Sequence, residues 1–177
     1  MIGIKATFLA VLILYGVKLI RTPLLAFPDS GWWLHSVNLV FHEAGHVLFM
    51  PCGRFLHLLG GTLGQLLIPA VVMGAFLRRR DLFGAVVGTW WFGENFLDIA
   101  PYINDARALQ LMLLGGVTGS EVEDYHDWEG VLGRLGMLQY DHVLAQIAHV
   151  TGSIVMLLAM VWGSCILWKE YTGRHRN

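Results

Sequence analysis

Charged residues are scarce in this sequence. Asp, Glu, Lys and Arg make up 14% of the chain and hydrophobic residues 55%, whereas an average soluble domain carries about 25% charged residues. A surface that faced water throughout would need more charge, so the composition excludes an ordinary soluble protein. The formal net charge of -1 supplies no basic excess for phosphate groups, which excludes nucleic acid as a partner. Only two cysteines are present, too few for a disulfide framework.

Long uncharged segments are abundant instead. A helix needs about 20 apolar residues to cross the hydrocarbon core of a bilayer, and residues 55–77 and 143–168 each exceed that length without a charge. We therefore predict an all-α, polytopic membrane protein that forms a single transmembrane domain over residues 1–177. Five transmembrane helices are expected, and a short helix between residues 107 and 117 would make a sixth. The five predicted spans are 4–20, 32–52, 55–77, 82–101 and 143–168.

The basic residues predict the orientation in the membrane. Loops rich in Lys and Arg stay in the cytoplasm, and the run Arg78-Arg79-Arg80 lies on the same side of the five-span arrangement as the basic residues after the last span. This distribution places the C-terminus in the cytoplasm. The segment 102–141 then lies outside, and we expect it to be a solvated loop because it is rich in acidic residues. Those residues are Asp105, Glu121, Glu123, Asp124, Asp127, Glu129 and Asp141.

A metal-binding motif lies in the second predicted span. His42 and His46 are four residues apart, so on a helix their imidazoles project from one face and can bind one zinc ion. Glu43 follows the first histidine, where it can act as general base toward a water that zinc has made acidic. Such a motif also arises by chance in soluble helices. Within an apolar segment a glutamate costs about 2.5–3.5 kcal/mol or more to insert, so here the motif favours function.

A third zinc ligand has to come from another segment. The stretch from the fourth span onward offers four polar candidates, which are Glu94, Asn95, Asp98 and Asp105. Depth in the membrane favours Asp98, because it lies near the level of His46 if both spans begin at their interfaces. Asp105 follows Pro101, where we expect the helix to break or loosen. His126, in the outer loop, is a weaker alternative.

This motif and the stretch from 95 to 109 resemble the site-2 protease family of intramembrane zinc metalloproteases. In that family a downstream Asn-x-x-Pro and Leu-Asp-Gly segment supplies the third ligand through its Asp. Asn95 stands at the position of the family's Asn, and Asp105 resembles the ligand Asp. The resemblance covers about residues 32–109 and implies that Asp105 is the third ligand. It also implies that Asn95 hydrogen-bonds the substrate or the tetrahedral intermediate. Asp98 stands where the family has its Pro, and the Leu-Asp-Gly triplet is missing.

The resulting hypothesis is a zinc metallopeptidase that hydrolyses peptide bonds of a membrane protein or peptide substrate inside the lipid bilayer. Zinc (Zn2+) is the expected cofactor, His42, His46 and Asp105 its ligands, and Glu43 and Asn95 the catalytic residues. The alternative is a non-catalytic, metal-binding membrane scaffold or chaperone. The intact Glu43 counts against that alternative, because metal binding alone does not need this acid, whereas the missing triplet counts for it.

Overall fold

The computed structural model describes residues 2–27 and 33–174 of the chain. Within these ranges the protein is all-helical, and the extended structure amounts to an isolated antiparallel bridge between Met112 and Thr118. Trp32, at the start of the second predicted span, and Arg176, in the basic C-terminal segment, lie outside the described residues.

Among the described residues, three helical segments are long and apolar enough to cross a membrane. They are α1 (Ile2–Arg21), α3 (Arg54–Arg78) and the segment Leu138–Gly173, which contains most of α6 (Asp141–Arg174). Two further helices, α2 and α4, lie at the other two predicted spans, and a short helix, α5, lies between α4 and α6. The helices are α1 (Ile2–Arg21), α2 (Trp33–Phe49), α3 (Arg54–Arg78), α4 (Leu82–Asn104), α5 (Asp127–Leu135) and α6 (Asp141–Arg174).

Two local expectations differ from the structure. The helix α4 does not break at Pro101 but continues to Asn104, and Asp105 is its C-terminal cap. A proline inside a membrane helix is tolerated where neighbouring groups satisfy the freed backbone carbonyl. The stretch from 107 to 117 forms turns and the isolated bridge, so it is not the short helix that would have been a sixth span.

Helix α4 is the centre of the bundle and packs against α3 and α6. Its interior-facing residues include Trp90 and Leu97, which join Leu19 and Met156 in an apolar core. The same helix also carries three polar side chains that are almost completely buried, Glu94, Asn95 and Asp98. Polar groups at such depth have to find hydrogen-bond partners within the protein, and α4 therefore organises the polar interior as well as the apolar core.

Helices α2 and α3 approach each other through glycines. A Cβ atom added to Gly60 would lie 2.8 Å from the carbonyl oxygen of Gly45, and one added to Gly64 would lie 2.7 Å from the Cα of Gly45. Small residues allow membrane helices to pack backbone to backbone. We call this contact, formed by Gly45, Gly60 and Gly64, the glycine seam. It holds the motif-bearing face of α2 against the first turns of α3.

The segment between α4 and α6 folds back over the bundle instead of extending into solvent. The Asp105 carboxylate accepts the backbone N–H groups of Gln110 at 3.0 Å and Leu111 at 2.9 Å. The Arg107 guanidinium donates two hydrogen bonds, of 2.8 and 2.7 Å, to the carboxylate of Asp141, which is fully buried. These hydrogen bonds also raise the pKa of Arg107. The expectation of a freely solvated loop therefore does not hold for the ends of this segment.

Removing the Arg107 side chain is expected to destabilise the fold. In Arg107→Met the buried Asp141 carboxylate loses both guanidinium hydrogen bonds and the opposite charge, and keeps the backbone N–H of His142 at 2.7 Å. A buried charge without its ionic partner is costly. We expect a lower thermal unfolding midpoint in detergent, and a smaller decrease for Arg107→Lys, because lysine keeps the charge but not the two-pronged geometry. Arg79→Met, at an exposed position just after α3, is the control. Equal midpoints for Arg107→Met and Arg79→Met would show that the pair contributes nothing.

Candidate metal centre

The histidines of the motif lie on α2 and face a cavity of about 630 Å³. Their rings stand edge to face with centroids 4.8 Å apart, as their spacing of four residues on a helix requires. Glu43 lines the same cavity. The structure thus brings the three motif residues together at the end of the bundle where α2 ends and α3 begins.

An aspartate from a different helix completes the cluster. The Oδ2 atom of Asp127 lies 3.1 Å from His42 Nε2 and 3.0 Å from His46 Nε2. Within residues 2–27 and 33–174 this is the one group of three or more His, Cys, Asp or Glu residues that could hold a metal ion. Burial raises the pKa of Asp127, but the hydrogen bonds from His42 and His46 outweigh it and lower the pKa to about 2.

Asp127 reaches this position because it is in the first turn of α5. The side chain of His126 caps that helix, its Nδ1 accepting the backbone N–H of Glu129 at 3.1 Å. Gly136 ends the helix in the left-handed conformation, with φ of 66°, as is common at helix C-termini. Both ends of α5 are therefore fixed by local sequence, and its N-terminus is held over the histidine pair.

The predicted third ligand and its alternatives lie elsewhere. Asp105 binds backbone N–H groups of its own segment and lies 3.5 Å from His126 Nε2. His126 lines the cavity, but its Nδ1 is used in capping α5. Asp98 also lines the cavity, where its carboxylate accepts hydrogen bonds from Asn38 and Gln65 rather than from the motif histidines. The carboxylate that meets His42 and His46 is that of Asp127 instead of Asp105. The chain turns back over the bundle at Asp105, and this turn brings α5 and Asp127 to the two histidines.

Asn95, the predicted partner of the reaction intermediate, is fully buried. Its Nδ2 donates to the carbonyl oxygen of Trp91, one turn earlier in α4, at 2.9 Å. Its side chain is not part of the cavity wall in the described residues. The remaining acidic candidate, Glu94, accepts a hydrogen bond of 3.0 Å from Asn38 in the bundle interior.

The orientation of both imidazoles is fixed through their Nδ1 atoms. His46 Nδ1 donates to the backbone carbonyl of His57 at 2.7 Å, and His42 Nδ1 lies 3.2 Å from the side-chain oxygen of Gln65. Metal-binding histidines usually donate the second ring N–H to an oxygen in this way, which leaves the other nitrogen lone pair for the metal. Here both Nε2 atoms face Asp127.

The two imidazoles can take these positions because residue 61 is glycine. A Cβ atom at Gly61 would lie 2.6 Å from His46 Nε2 and closer still to His42 Nε2. In a tetrahedral zinc site with bonds of about 2.0–2.1 Å, neighbouring ligand atoms are about 3.3 Å apart. The separations of 3.0 and 3.1 Å between Asp127 and the two imidazoles are close to that value. The donor set therefore fits a zinc ion.

Sequence reasoning missed three contributors to this centre: Asp127, Gly61 and the carbonyl of His57. Asp127 carried one signal, its position between His126 and Trp128 at the start of a short helix, but the acidity of the surrounding segment favoured a solvated loop. A backbone carbonyl and an absent side chain leave no trace in a motif. No protein family, curated protein or solved structure matches this chain, so its function is argued from the site alone.

Proposed function

We propose that this protein is an intramembrane zinc metallopeptidase of the site-2 protease type, with His42, His46 and Asp127 as zinc ligands and Glu43 as general base. One observation carries the proposal: three donor atoms from α2 and α5 converge beside Glu43 on one cavity. Two histidines and a carboxylate, with a fourth position left for water, form the ligand set of several zinc peptidases. Asp127 replaces Asp105 as the third ligand in this proposal.

The chemistry assigns separate tasks to the metal and to the chain. When bound, zinc polarises the carbonyl group of the scissile peptide and lowers the pKa of water. Glu43 accepts a proton from the attacking water as the oxygen of that water bonds to the carbonyl carbon. The same carboxyl then gives that proton to the amine nitrogen as the C–N bond breaks. We assign Asn95 no part in these steps, because its side chain does not line the cavity and its Nδ2 donates to the carbonyl oxygen of Trp91.

The cavity suits an apolar peptide segment. Its wall includes Leu39, Leu58 and Ile99 from the helices and Met112 and Leu114 from the segment that follows α4. These side chains would surround an extended stretch of a membrane protein, while His42, His46 and Glu43 act on one of its peptide bonds. A helical substrate has its amides hydrogen-bonded internally, so it would have to unwind to reach the metal.

We further propose that α2 and α4 span the membrane together with α1, α3 and α6, giving five spans. The face of α2 that turns away from the cavity exposes Val40, Val47 and Leu48, which suits contact with lipid. Helix α4 does not need a lipid-exposed face of this kind, because neighbouring helices cover most of its surface. With five spans and the basic clusters inside, the C-terminus lies in the cytoplasm and α5 covers the site from the opposite side.

The test of catalysis is Glu43→Gln. Because the carboxamide of glutamine cannot accept the proton of water, and because residue 43 is not a metal ligand, we expect zinc content to be unchanged and turnover to fall by about 10²–10⁴-fold. Turnover is measured as cleavage of single-span model peptides in detergent, with products identified by mass spectrometry. A chelator should abolish cleavage and added zinc should restore it. A wild-type protein that binds zinc but cleaves none of these peptides would favour the metal-binding scaffold instead.

A further inference from the structure

A buried hydrogen-bond chain connects the candidate metal centre to the centre of the bundle. Gln65, on α3, lies between His42 and Asp98: its oxygen is 3.2 Å from His42 Nδ1, and its nitrogen donates to Asp98 Oδ2 at 2.7 Å. Gln65 and Asp98 are only 5% and 4% exposed, so bulk water has little access to the hydrogen bond between them. Three helices therefore contribute one member each.

The direction of the chain follows from the chemistry of its inner end. A carboxylate only accepts hydrogen bonds, and Asp98 accepts from Asn38 at 3.1 Å and from His35 at 2.8 Å in addition to Gln65. The amide group of Gln65 must therefore turn its NH2 toward Asp98. Its oxygen then faces His42, which requires the proton of that imidazole to be on Nδ1. In the neutral imidazole that binds a metal ion, the lone pair is then on Nε2, the atom that faces Asp127.

The two motif histidines differ in this respect. His46 is oriented by the backbone carbonyl of His57, at 2.7 Å, which stays in place whatever side chain residue 57 carries. His42 is oriented by a side chain, Gln65, whose amide could turn over if nothing held it. The Asp98 carboxylate prevents that inversion. The orientation of His42 therefore depends on Gln65 and Asp98, neither of which belongs to the candidate metal-binding group.

We propose that Asp98 and Gln65 are positioning residues for the metal site: Asp98 fixes the amide of Gln65, and Gln65 fixes the proton and ring orientation of His42. This inference rests on the proposed function, since it assumes that His42 binds zinc. It gives Asp98, a candidate ligand from sequence, an indirect role through Gln65. Groups that orient metal ligands in this way typically account for about 10–100-fold in metal affinity.

The experiment is a double-mutant cycle on zinc affinity, measured by competition with a chromophoric chelator on the full-length protein in detergent. We expect Gln65→Met to weaken zinc binding by about 10–100-fold and Asp98→Asn to weaken it less. If Asp98 acts through Gln65, then adding Asp98→Asn to Gln65→Met should cause no further loss. Independent roles would instead give additive losses, and additive losses would overturn the inference.

A third variant separates positioning from packing. Gln65→Glu keeps an oxygen that can accept the His42 Nδ1 proton. Beside the Asp98 carboxylate the new carboxyl group is expected to hold a proton, which it can donate to Asp98 as the amide did. We therefore expect this variant to recover most of the affinity that Gln65→Met loses. If the role of Gln65 were only to fill space, the apolar methionine would serve at least as well as the glutamate, and affinity equal to the wild type in Gln65→Met would overturn the proposal. Thr89→Val is the control, because the Thr89 hydroxyl donates only to Ala85 of its own helix.

The cycle also distinguishes this inference from the proposed function. A wild-type protein that binds no zinc at the motif would overturn both. Suppose instead that the wild type binds zinc tightly. No loss of affinity in Gln65→Met, or additive losses in the double variant, would then overturn the positioning role of Asp98 and Gln65 but not the proposed metallopeptidase. Thermal unfolding midpoints of all variants identify any that have lost the fold. If the variants that carry Asp98→Asn do not fold, the difference in zinc affinity between Gln65→Glu and Gln65→Met still tests the role of Gln65.

Discussion

Asp127→Asn is expected to strip zinc from the purified protein, whereas Asp105→Asn is expected to retain it. Each substitution removes one carboxylate and changes the shape of the side chain little. Asp127 is the carboxylate that meets both imidazoles, at 3.1 and 3.0 Å, and a carboxamide is a poor zinc ligand. We expect the affinity to fall by more than the roughly 100-fold that loss of an orienting group can cause. Elemental analysis and chelator competition measure the result.

Asp105→Asn is the matched control for this experiment. The Asp105 carboxylate accepts the backbone N–H groups of Gln110 and Leu111, and an asparagine oxygen can still accept one of them. Zinc content close to that of the wild type is therefore expected, with a lower unfolding midpoint. The opposite pattern, zinc lost in Asp105→Asn and retained in Asp127→Asn, would return the third ligand to the position that the family resemblance implies.

Gly61→Ala is expected to abolish zinc binding although it adds only one methyl group. The new Cβ atom would lie against both imidazoles, 2.6 Å from His46 Nε2, and would displace the nitrogen atoms that have to bind the metal. Neither ring can retreat freely, because each is held through Nδ1, His46 by the His57 carbonyl and His42 by Gln65. We expect loss of zinc and of peptide cleavage, with the helical content unchanged by circular dichroism.

Gly74→Ala provides the comparison on the same helix. A Cβ atom at Gly74 meets nothing within 4 Å, so we expect this variant to bind zinc like the wild type. The pair separates the effect of volume at the metal centre from the general effect of replacing a glycine in α3. Normal zinc affinity in Gly61→Ala would mean that the metal, if bound, does not depend on these two imidazoles, and the proposed ligand set would have to be abandoned.

The helical architecture was predictable because it depends on local composition. Uncharged stretches of about 20 residues predict membrane helices, and α1, α3 and the segment containing α6 lie where the sequence places them. The end of α4 was not predictable in the same way. The conformational preference before Pro101 suggested a break, but the packing of α4 inside the bundle outweighs that local preference and the helix continues to Asn104.

The motif half of the candidate site could also be read from the sequence, because His42, Glu43 and His46 lie within one turn or so of a single helix. The third member could not, because Asp127 is separated from His42 by 85 positions and meets it only after the chain turns back. That turn depends on tertiary contacts, namely those of Asp105 with backbone N–H groups and of Arg107 with Asp141. In a segment with many carboxylates, composition does not distinguish the one that meets the two histidines.

The glycine seam has a consequence for how a substrate could enter. Where α2 and α3 meet at Gly45, Gly60 and Gly64, the backbones of the two helices are in close contact, and separating the helices would expose backbone to lipid. The spacing of α2 and α3 beside the cavity is therefore fixed. If the protein is the proposed peptidase, we expect a substrate to enter beside the segment that follows α4. There Met112 and Leu114 line the cavity and are more than half exposed, and the chain forms turns. An engineered cross-link between that segment and α2 would then block this entrance without changing the catalytic groups.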